Sequence, residues 1–295
     1  MYDVIIIGAG PAGLTAAIYL KRANKNVLVL DGKGYGGAIV NTNKIENYPG
    51  CFNISGFDLA NNLYKQASEL GAIIKFENVV EVVDGNIKKV ITNKNEFEAK
   101  AIIIATGKEN RKLGFEDEFI GRGVSYCAMC DGAFYKEKIV AVVGGGNSAI
   151  DDAIYLADLA KKVYVIHRRD EFRADTKSIE LLKKKDNVEF ILNSIVSKIN
   201  GKDRLESIEV KTLDKTNTIT IDGLFIAIGG VPSTNLFKDY LEFTDDGYIK
   251  SNDCLTNKEG IFVAGDVREK EIRQLVTATS DGAIAANEAI KYLNK

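Results

Sequence analysis

A single histidine, His167, serves all 295 residues. Hydrolysis by a Ser-His-Asp triad is therefore excluded, since that histidine already sits in a basic run with Arg168 and Arg169. A zinc site is equally short of ligands, because four are needed. The four cysteines are too few for a disulfide scaffold in a chain of this length. Cys51 and Cys254 stand alone and read as small buried apolar residues. No run of about 18 apolar residues exists, so no membrane span is expected. The opening Met1–Gly8 is too short and too acidic for a signal peptide and reads as a buried strand entering a turn. A net charge of −2 lacks the clustered Lys and Arg excess that nucleic-acid binding needs. Lys183–Lys185 reads as the solvated face of a helix. No Pro- or Ser-rich linker interrupts the chain. What remains is an ordinary globular protein of about two domains, expected in the cytoplasm.

Against that plain background one unit is written twice. Strand Asp3–Ile7, glycine loop Gly8–Gly13, a helix from about Pro11 to Ala23 and strand Asn26–Leu30 form the first copy. Strand Ile139–Val143, loop Gly144–Ala149, a helix to about Ala160 and strand Lys162–Ile166 form the second. Asp31 falls 23 positions after Gly8, and His167 falls 23 positions after Gly144. Each copy later adds a short apolar strand that closes on glycine: Ala101–Gly107, ending Ala105, Thr106, Gly107, and Leu224–Gly230. Apolar runs of about five residues alternating with helices predict parallel sheets buried on both faces. The expected fold class is α/β with two Rossmann-like dinucleotide-binding domains. The tail adds one more strand, Gly260–Asp266, and a helix over Gln274–Leu293. If the tail returns to the first domain, the second is an insertion bounded near residues 113 and 245; a simple tandem is the alternative.

The loops carry recognisable chemistry. Gly8 permits a tight turn, Gly10 lets the backbone approach a pyrophosphate, and Gly13 allows close helix–strand packing. The helix opened by Pro11 and Ala12 offers free N–H donors to the anion. Asp31 is placed to accept from a ribose hydroxyl. The second loop, Gly144, Gly145, Gly146, Asn147, Ser148 and Ala149, keeps the turn glycines. Where the first copy has Asp31, the second has His167, Arg168 and Arg169, with Arg173 a turn later. Arginines bind a 2′-phosphate that an acid would repel, so NADP(H) is expected there, with His167 as a phosphate or ribose contact. Cys127 and Cys130 admit three uses: zinc ligation, inert thiols or a catalytic dithiol. The ligand shortage counts against zinc, and the adjacent Asp131 and small Gly132-Ala133 favour the dithiol. Two dinucleotide loops and a redox-capable pair in one chain describe an electron relay.

These residues resemble the bacterial-type, low-molecular-weight NADPH-dependent thioredoxin reductases, in class II of the pyridine nucleotide-disulfide oxidoreductases. The likeness spans essentially the whole chain. Its specific parts are Cys127 to Gly132, Gly144 to Ala149, His167 to Arg173, and Gly265-Asp266-Val267 with Arg273 and Gln274. The resemblance implies FAD on the first loop, with Asp31, Gly32, Gly36, Gly37 and Ala38 along its adenosine side and Asn47 near the flavin. Gly265 and Asp266 are implied at the ribityl–pyrophosphate region, Arg273, Gln274 and Leu275 beside the isoalloxazine, and Ala105, Thr106 and Gly107 in the same set. Residues 1–112 and 246–295 are implied to form the FAD domain, residues 113–245 an inserted NADPH domain carrying the cysteine pair, and the protein a homodimer. By the same likeness Cys130 faces the flavin, and Cys127 attacks the disulfide of thioredoxin. Asp131 protonates the departing thiolate, which requires a carboxyl pKa raised by burial. Arg122 matches a position associated with docking thioredoxin. Since nicotinamide and cysteines both belong to the second domain yet serve one flavin in the first, a domain rotation is expected. Met129 stands where the family usually has Thr, and Ala38 where Gln is common. A ferredoxin-driven reductase or a dithiol oxidase is expected to lack the second loop and its arginines. A ferredoxin–NADP reductase would lack the cysteine pair. The flavoprotein of alkyl hydroperoxide reductase carries an extra N-terminal redox module. A nucleotide-binding scaffold would leave Cys127, Cys130 and Asp131 without a use.

Overall fold

A computed structural model describes residues 1–42, 44–213 and 215–295. These divide into two compact units, Met1–Glu109 with Val231–Lys295, and Asn110–Gly230. The chain re-enters the first unit at Val231, ahead of residue 245, because Phe237 and Leu241 bury in that unit's core beside Ile249.

The first unit is built on a sheet whose parallel part runs Ile73–Lys75, Val27–Leu30, Tyr2–Ile7, Glu96–Ile104, with Ile261–Val263 also on Glu96–Ile104. Opposite Tyr2–Ile7, the other edge of the nine-residue strand Glu96–Ile104 serves two partners in succession, Lys88–Thr92 and then Ile261–Val263. Its start pairs antiparallel with Lys88–Thr92, which pairs onward with Val79–Val83. Alternate residues of each parallel strand face opposite sides. Val4 and Ile6 join Val27, Val29 and Ile103 in one core, under the helices Pro11–Arg22 and Leu275–Leu293. Ile5 and Ile7 join Leu28, Leu30, Ile102 and Ile104 in the other. Burial on both faces is why these strands are apolar throughout rather than alternating. Each fully buried Ile or Leu contributes about 1.5–3 kcal/mol, so the sheet holds its ends firmly in place.

The second unit repeats the plan. Its parallel sheet runs Val188–Ile191, Lys162–Ile166, Ile139–Val143, Gly223–Ile226, Val124–Ser125. Val140 and Val142 pack on the helix Asn147–Ala157 through Ile150 and Ala153. On the opposite face Ala141 and Val143 meet an antiparallel sheet of Ile195–Asn200, Ser207–Lys211 and Thr216–Thr220. In both units the glycine loops leave the carboxyl end of the central strand, where ligands of such sheets bind.

Candidate active site

The two glycine loops are held by the same backbone contacts. In the first, Gly8 donates to the Leu30 carbonyl and Ala105 to the Ile7 carbonyl, both at 2.8 Å. In the second, Gly144 donates to Ile166 at 3.1 Å and Ala227 to Val143 at 2.8 Å. Gly8 has φ +112°, and a Cβ there would lie 2.2 Å from the Ala105 carbonyl oxygen. Gly144 has φ +155°, and a Cβ there would lie 2.3 Å from the Ala227 carbonyl oxygen. Neither turn tolerates a side chain.

The first loop is an open cradle. A Cβ on Gly13 would strike the Gly8 oxygen at 1.9 Å, so the helix starting at Pro11 lies tight on the strand. Gly10 is half-buried, and a Cβ there would meet Gly37 Cα at 3.9 Å. No side chain caps this helix, which leaves its first N–H groups for an anion. Asp31 accepts from Ala9 N–H through Oδ2 and from Lys33 N–H through Oδ1, each at 2.8 Å. Its oxygens keep further lone pairs. Gly36 N–H donates to Ala9 O, which folds Gly32–Ala38 over the loop. The tail arrives against the same helix: a Cβ on Gly265 would meet Ala12 Cβ at 2.9 Å, and one on Gly282 would meet the Ala12 oxygen at 2.2 Å. Thr106 donates to the Ser233 carbonyl at 2.8 Å, and Gly107, at φ +68°, has open space around it. Asn47 Nδ2 donates to Gln274 Oε1 at 3.2 Å, and Gln274 caps the helix that begins at Leu275. Arg273 lies over the Tyr248 ring, 3.9 Å from its centroid.

Two polar atoms here are buried without a hydrogen bond among the described residues, Asp266 Oδ1 and Arg273 Nε. Such orphans are costly unless a ligand satisfies them. Burial pushes the Asp266 carboxyl up, and the charges of Lys270, Lys108 and Arg273 pull it back. Open glycine backbone, an uncapped helix and unmet donors and acceptors fit a flavin dinucleotide. Sequence reading missed the brace beneath them. Asp281 Oδ2 accepts from Gly265 N–H at 3.0 Å and from Lys270 Nζ at 2.8 Å, while Oδ1 accepts from Arg268 Nη1 at 2.9 Å. A lone Asp inside a helix pattern gives no sequence signal of such a role.

The second loop is braced differently. Gly146 precedes the helix Asn147–Ala157, again with no side-chain cap, and nothing lies within 4 Å of a Cβ placed on it. Ala149 is buried, Ser148 exposed, and Asn147 Oδ1 accepts from Asp175 N–H at 2.8 Å. His167 is 6% exposed and its ring lies beneath Gly145, where a Cβ would meet it at 2.2 Å. Nε2 donates to the Glu171 carbonyl at 3.1 Å, and the ring stacks on Phe172. Burial, with the three nearby arginines, lowers its pKa, so the ring is neutral at pH 7. The ring fills the space under the loop at Gly145. Arg173 N–H donates to the Gly145 oxygen at 2.7 Å. This draws the arginine turn to the loop, where Arg168, Arg169 and Arg173 are exposed and form no ion pair among the described residues.

Cys127 and Cys130 form a disulfide with Cα atoms 5.3 Å apart. The pair opens a single helical turn, Ala128–Asp131, and Cys130 N–H donates to Cys127 Sγ at 3.2 Å. That bond strengthens when the sulfur becomes a thiolate. Asp131 Oδ2 accepts from Ser125 Oγ at 2.6 Å, and burial pushes its carboxyl up. Met129 is 55% exposed between the cysteines, and Arg122 is exposed on the preceding loop. Cys254 is buried, with its thiol pushed up to about 12 by burial. Cys51 is half exposed rather than buried as its sequence context suggests.

A model of the pyridine nucleotide-disulphide oxidoreductases matches residues 2–282. The chain belongs to that family. It is 46% identical to the thioredoxin reductase of Listeria monocytogenes, over 100% of this chain and 95% of that protein. It is 44% identical to that of Mycoplasma genitalium, over 97% of this chain and 93% of that protein. Among solved structures, the thioredoxin reductase of Streptococcus pyogenes superposes with a TM-score of 0.95 at 41% identity, over 100% and 98% of the two chains. The thioredoxin reductase of Giardia duodenalis does so with a TM-score of 0.95 at 36% identity, over 100% and 99%. As a member of the pyridine nucleotide-disulphide oxidoreductases the protein is a flavoprotein oxidoreductase. No helix among the described residues is long and apolar enough to cross a membrane.

Proposed function

We propose that this protein is a thioredoxin reductase, moving electrons from NADPH through FAD and the Cys127–Cys130 disulfide to oxidised thioredoxin. The observation that carries this reading is the disulfide itself, formed beside a half-buried carboxyl in a unit that also bears an arginine-flanked glycine loop. The first unit, with Gly8, Gly10, Gly13, Asp31, Asp266 and Arg273, holds FAD; the second, with Gly144–Ala149, Arg168, Arg169 and Arg173, holds NADPH. When bound, FAD supplies the two-electron step between nicotinamide and disulfide.

The protein's own chemistry is thiol exchange. In the reduced enzyme the Cys127 thiolate, favoured by the Cys130 N–H, attacks the disulfide of thioredoxin and forms a mixed disulfide. Cys130 then displaces thioredoxin from Cys127, which restores the internal disulfide and releases a dithiol. Asp131 supplies the proton to a departing thiolate, and burial shifts its pKa in the direction that role needs. Arg122 lies on the exposed loop before the cysteines and serves thioredoxin docking. The enzyme works as a cytoplasmic homodimer.

Anaerobic titration with NADPH, read from flavin absorbance, tests the reading. Full reduction is expected to take about two equivalents per flavin, one for FAD and one for the disulfide, and one equivalent in the Cys127→Ser/Cys130→Ser variant. Absence of bleaching by NADPH, with normal bleaching by dithionite, would refute it.

A further inference from the structure

We propose that Ser125 is the positioning residue for the proton handled at the cysteine turn, holding Asp131 against Cys127 in both protonation states of the carboxyl. This deepens the reading of Asp131 as the acid–base group. Ser125 ends the strand Val124–Ser125 and is 6% exposed. Its Oγ lies 2.6 Å from Asp131 Oδ2, 3.0 Å from Cys127 N and 3.3 Å from Cys127 O. A hydroxyl has one proton and two lone pairs. Cys127 N–H can only donate, so Oγ accepts from it, and the single serine proton has two places to go.

With Asp131 ionised, that proton goes to Oδ2, at a distance in the range of a charge-assisted bond. With Asp131 protonated at Oδ2, the carboxyl donates to Oγ and the serine proton turns to the Cys127 carbonyl. Either way no buried polar atom of the trio is left unmet, which alanine could not achieve. The step served is a proton transfer. The O–H bond of Asp131 breaks, an S–H bond forms on the released thiolate, Asp131 becomes a carboxylate, and no electron changes hands.

The groups around the carboxyl come from three elements. The strand gives Ser125. The turn that follows gives Tyr135, whose phenol is pushed up by burial and by the Asp131 charge. The helix Asn147–Ala157 lays the Tyr155 ring against Gly132, where a Cβ would meet it at 2.8 Å. Burial raises the Asp131 pKa, and the Ser125 bond acts in the opposite direction.

The test is single-turnover reoxidation of NADPH-reduced holoenzyme by oxidised thioredoxin, followed against pH in wild type, Ser125→Ala, Ser125→Thr and Asp131→Asn. The acid form of Asp131 is the one used, so the rate falls as pH rises through its pKa. Removing the Ser125 donor disfavours the carboxylate, so Ser125→Ala moves this descent upward by about one pH unit. Ser125→Thr, which keeps the hydroxyl, returns it to the wild-type position. Asp131→Asn abolishes the descent. A well-folded Ser125→Ala whose descent stays in place, or a Thr variant displaced as far as the Ala one, would overturn the role of Ser125 while leaving Asp131 intact. A descent that survives in Asp131→Asn would remove the Asp131 reading, and the role of Ser125 with it.

Discussion

The two glycine loops share their backbone but not their supports. Both turns hang on equivalent bonds, Gly8 to Leu30 with Ala105 to Ile7, and Gly144 to Ile166 with Ala227 to Val143. What differs is the group that locks each loop from behind. The first is backed by the chain's tail through Gly265, Gly282 and the buried Asp281. The second is backed by one aromatic ring, His167, under Gly145. A duplicated scaffold thus reaches two nucleotide specificities by changing side chains at the strand end and beneath the loop, without altering the turn.

The contrast breaks most sharply at Asp281. Its carboxylate joins two largely buried cations and a backbone amide, so Asp281→Ala leaves Arg268 without its anion and Lys270 with only Asp266, at 3.9 Å. Losing one partner of a buried ionic group costs about 3–5 kcal/mol. The first unit is expected to bind FAD more weakly and the thermal transition to fall, while NADPH affinity, measured calorimetrically on protein resaturated with FAD, stays within twofold. An equal loss of NADPH binding would show that the two supports are not separate.

Next in size come the paired turn variants Gly8→Ala and Gly144→Ala. Each methyl would overlap a carbonyl oxygen, at 2.2 and 2.3 Å, in a backbone conformation that disfavours it. Strain and overpacking together cost about 2–4 kcal/mol. Gly8→Ala should purify colourless, and Gly144→Ala should purify yellow but need at least about 30-fold more NADPH for half-maximal flavin reduction. Flavin loss from Gly144→Ala would contradict the assignment of the two loops.

The arginine turn sharpens the comparison at the level of specificity. Arg168→Ala/Arg169→Ala removes charge-assisted donors worth about 1.5–3 kcal/mol each. The preference for NADPH over NADH, taken as a ratio of kcat/KM, should fall about 100-fold or more, with the NADH value nearly unchanged. A matching fall with NADH would mean that the arginines stabilise the unit rather than read the 2′-phosphate.

Much of this was legible in the chain because both sheets bury their strands on two faces. Strands Ile139–Val143 and Lys162–Ile166 fall where their apolar runs place them, and the last helix begins beside Gln274 as expected. The antiparallel strands are harder to read. Thr216–Thr220 carries threonines and an asparagine because both its faces meet solvent, whereas Lys88–Thr92 carries Lys88 and Thr92 on its buried side, each satisfied by a hydrogen bond, to Gly85 O and to Glu77. Among site residues, the glycines and arginines declared themselves by spacing. Ser125 and Asp281 did not, because a hydrogen bond that reaches 16 residues along the chain, as from Gly265 to Asp281, has no period to betray it. His167 was visible as a residue, but only packing shows that its ring lies beneath the loop.

That ring allows the finest test of the comparison, because the equivalent place in the first copy holds Asp31, which accepts from Ala9 N–H, rather than an imidazole. Burial lowers the pKa of His167, so the folded protein holds it neutral where the unfolded chain begins to protonate it. Below about pH 6.5 the unfolded state binds more protons, so stability falls with falling pH until the folded pKa is passed. His167→Asn keeps a donor for the Glu171 carbonyl but removes the titration. Wild type should therefore lose stability relative to this variant between about pH 6.5 and 5, as read by urea denaturation of the flavin-bound enzyme. Above pH 7 the two curves should run parallel, offset by the lost stacking on Phe172. Parallel curves at acid pH as well would mean that the ring is protonated in place, and that the brace under the second loop is ionic rather than packed.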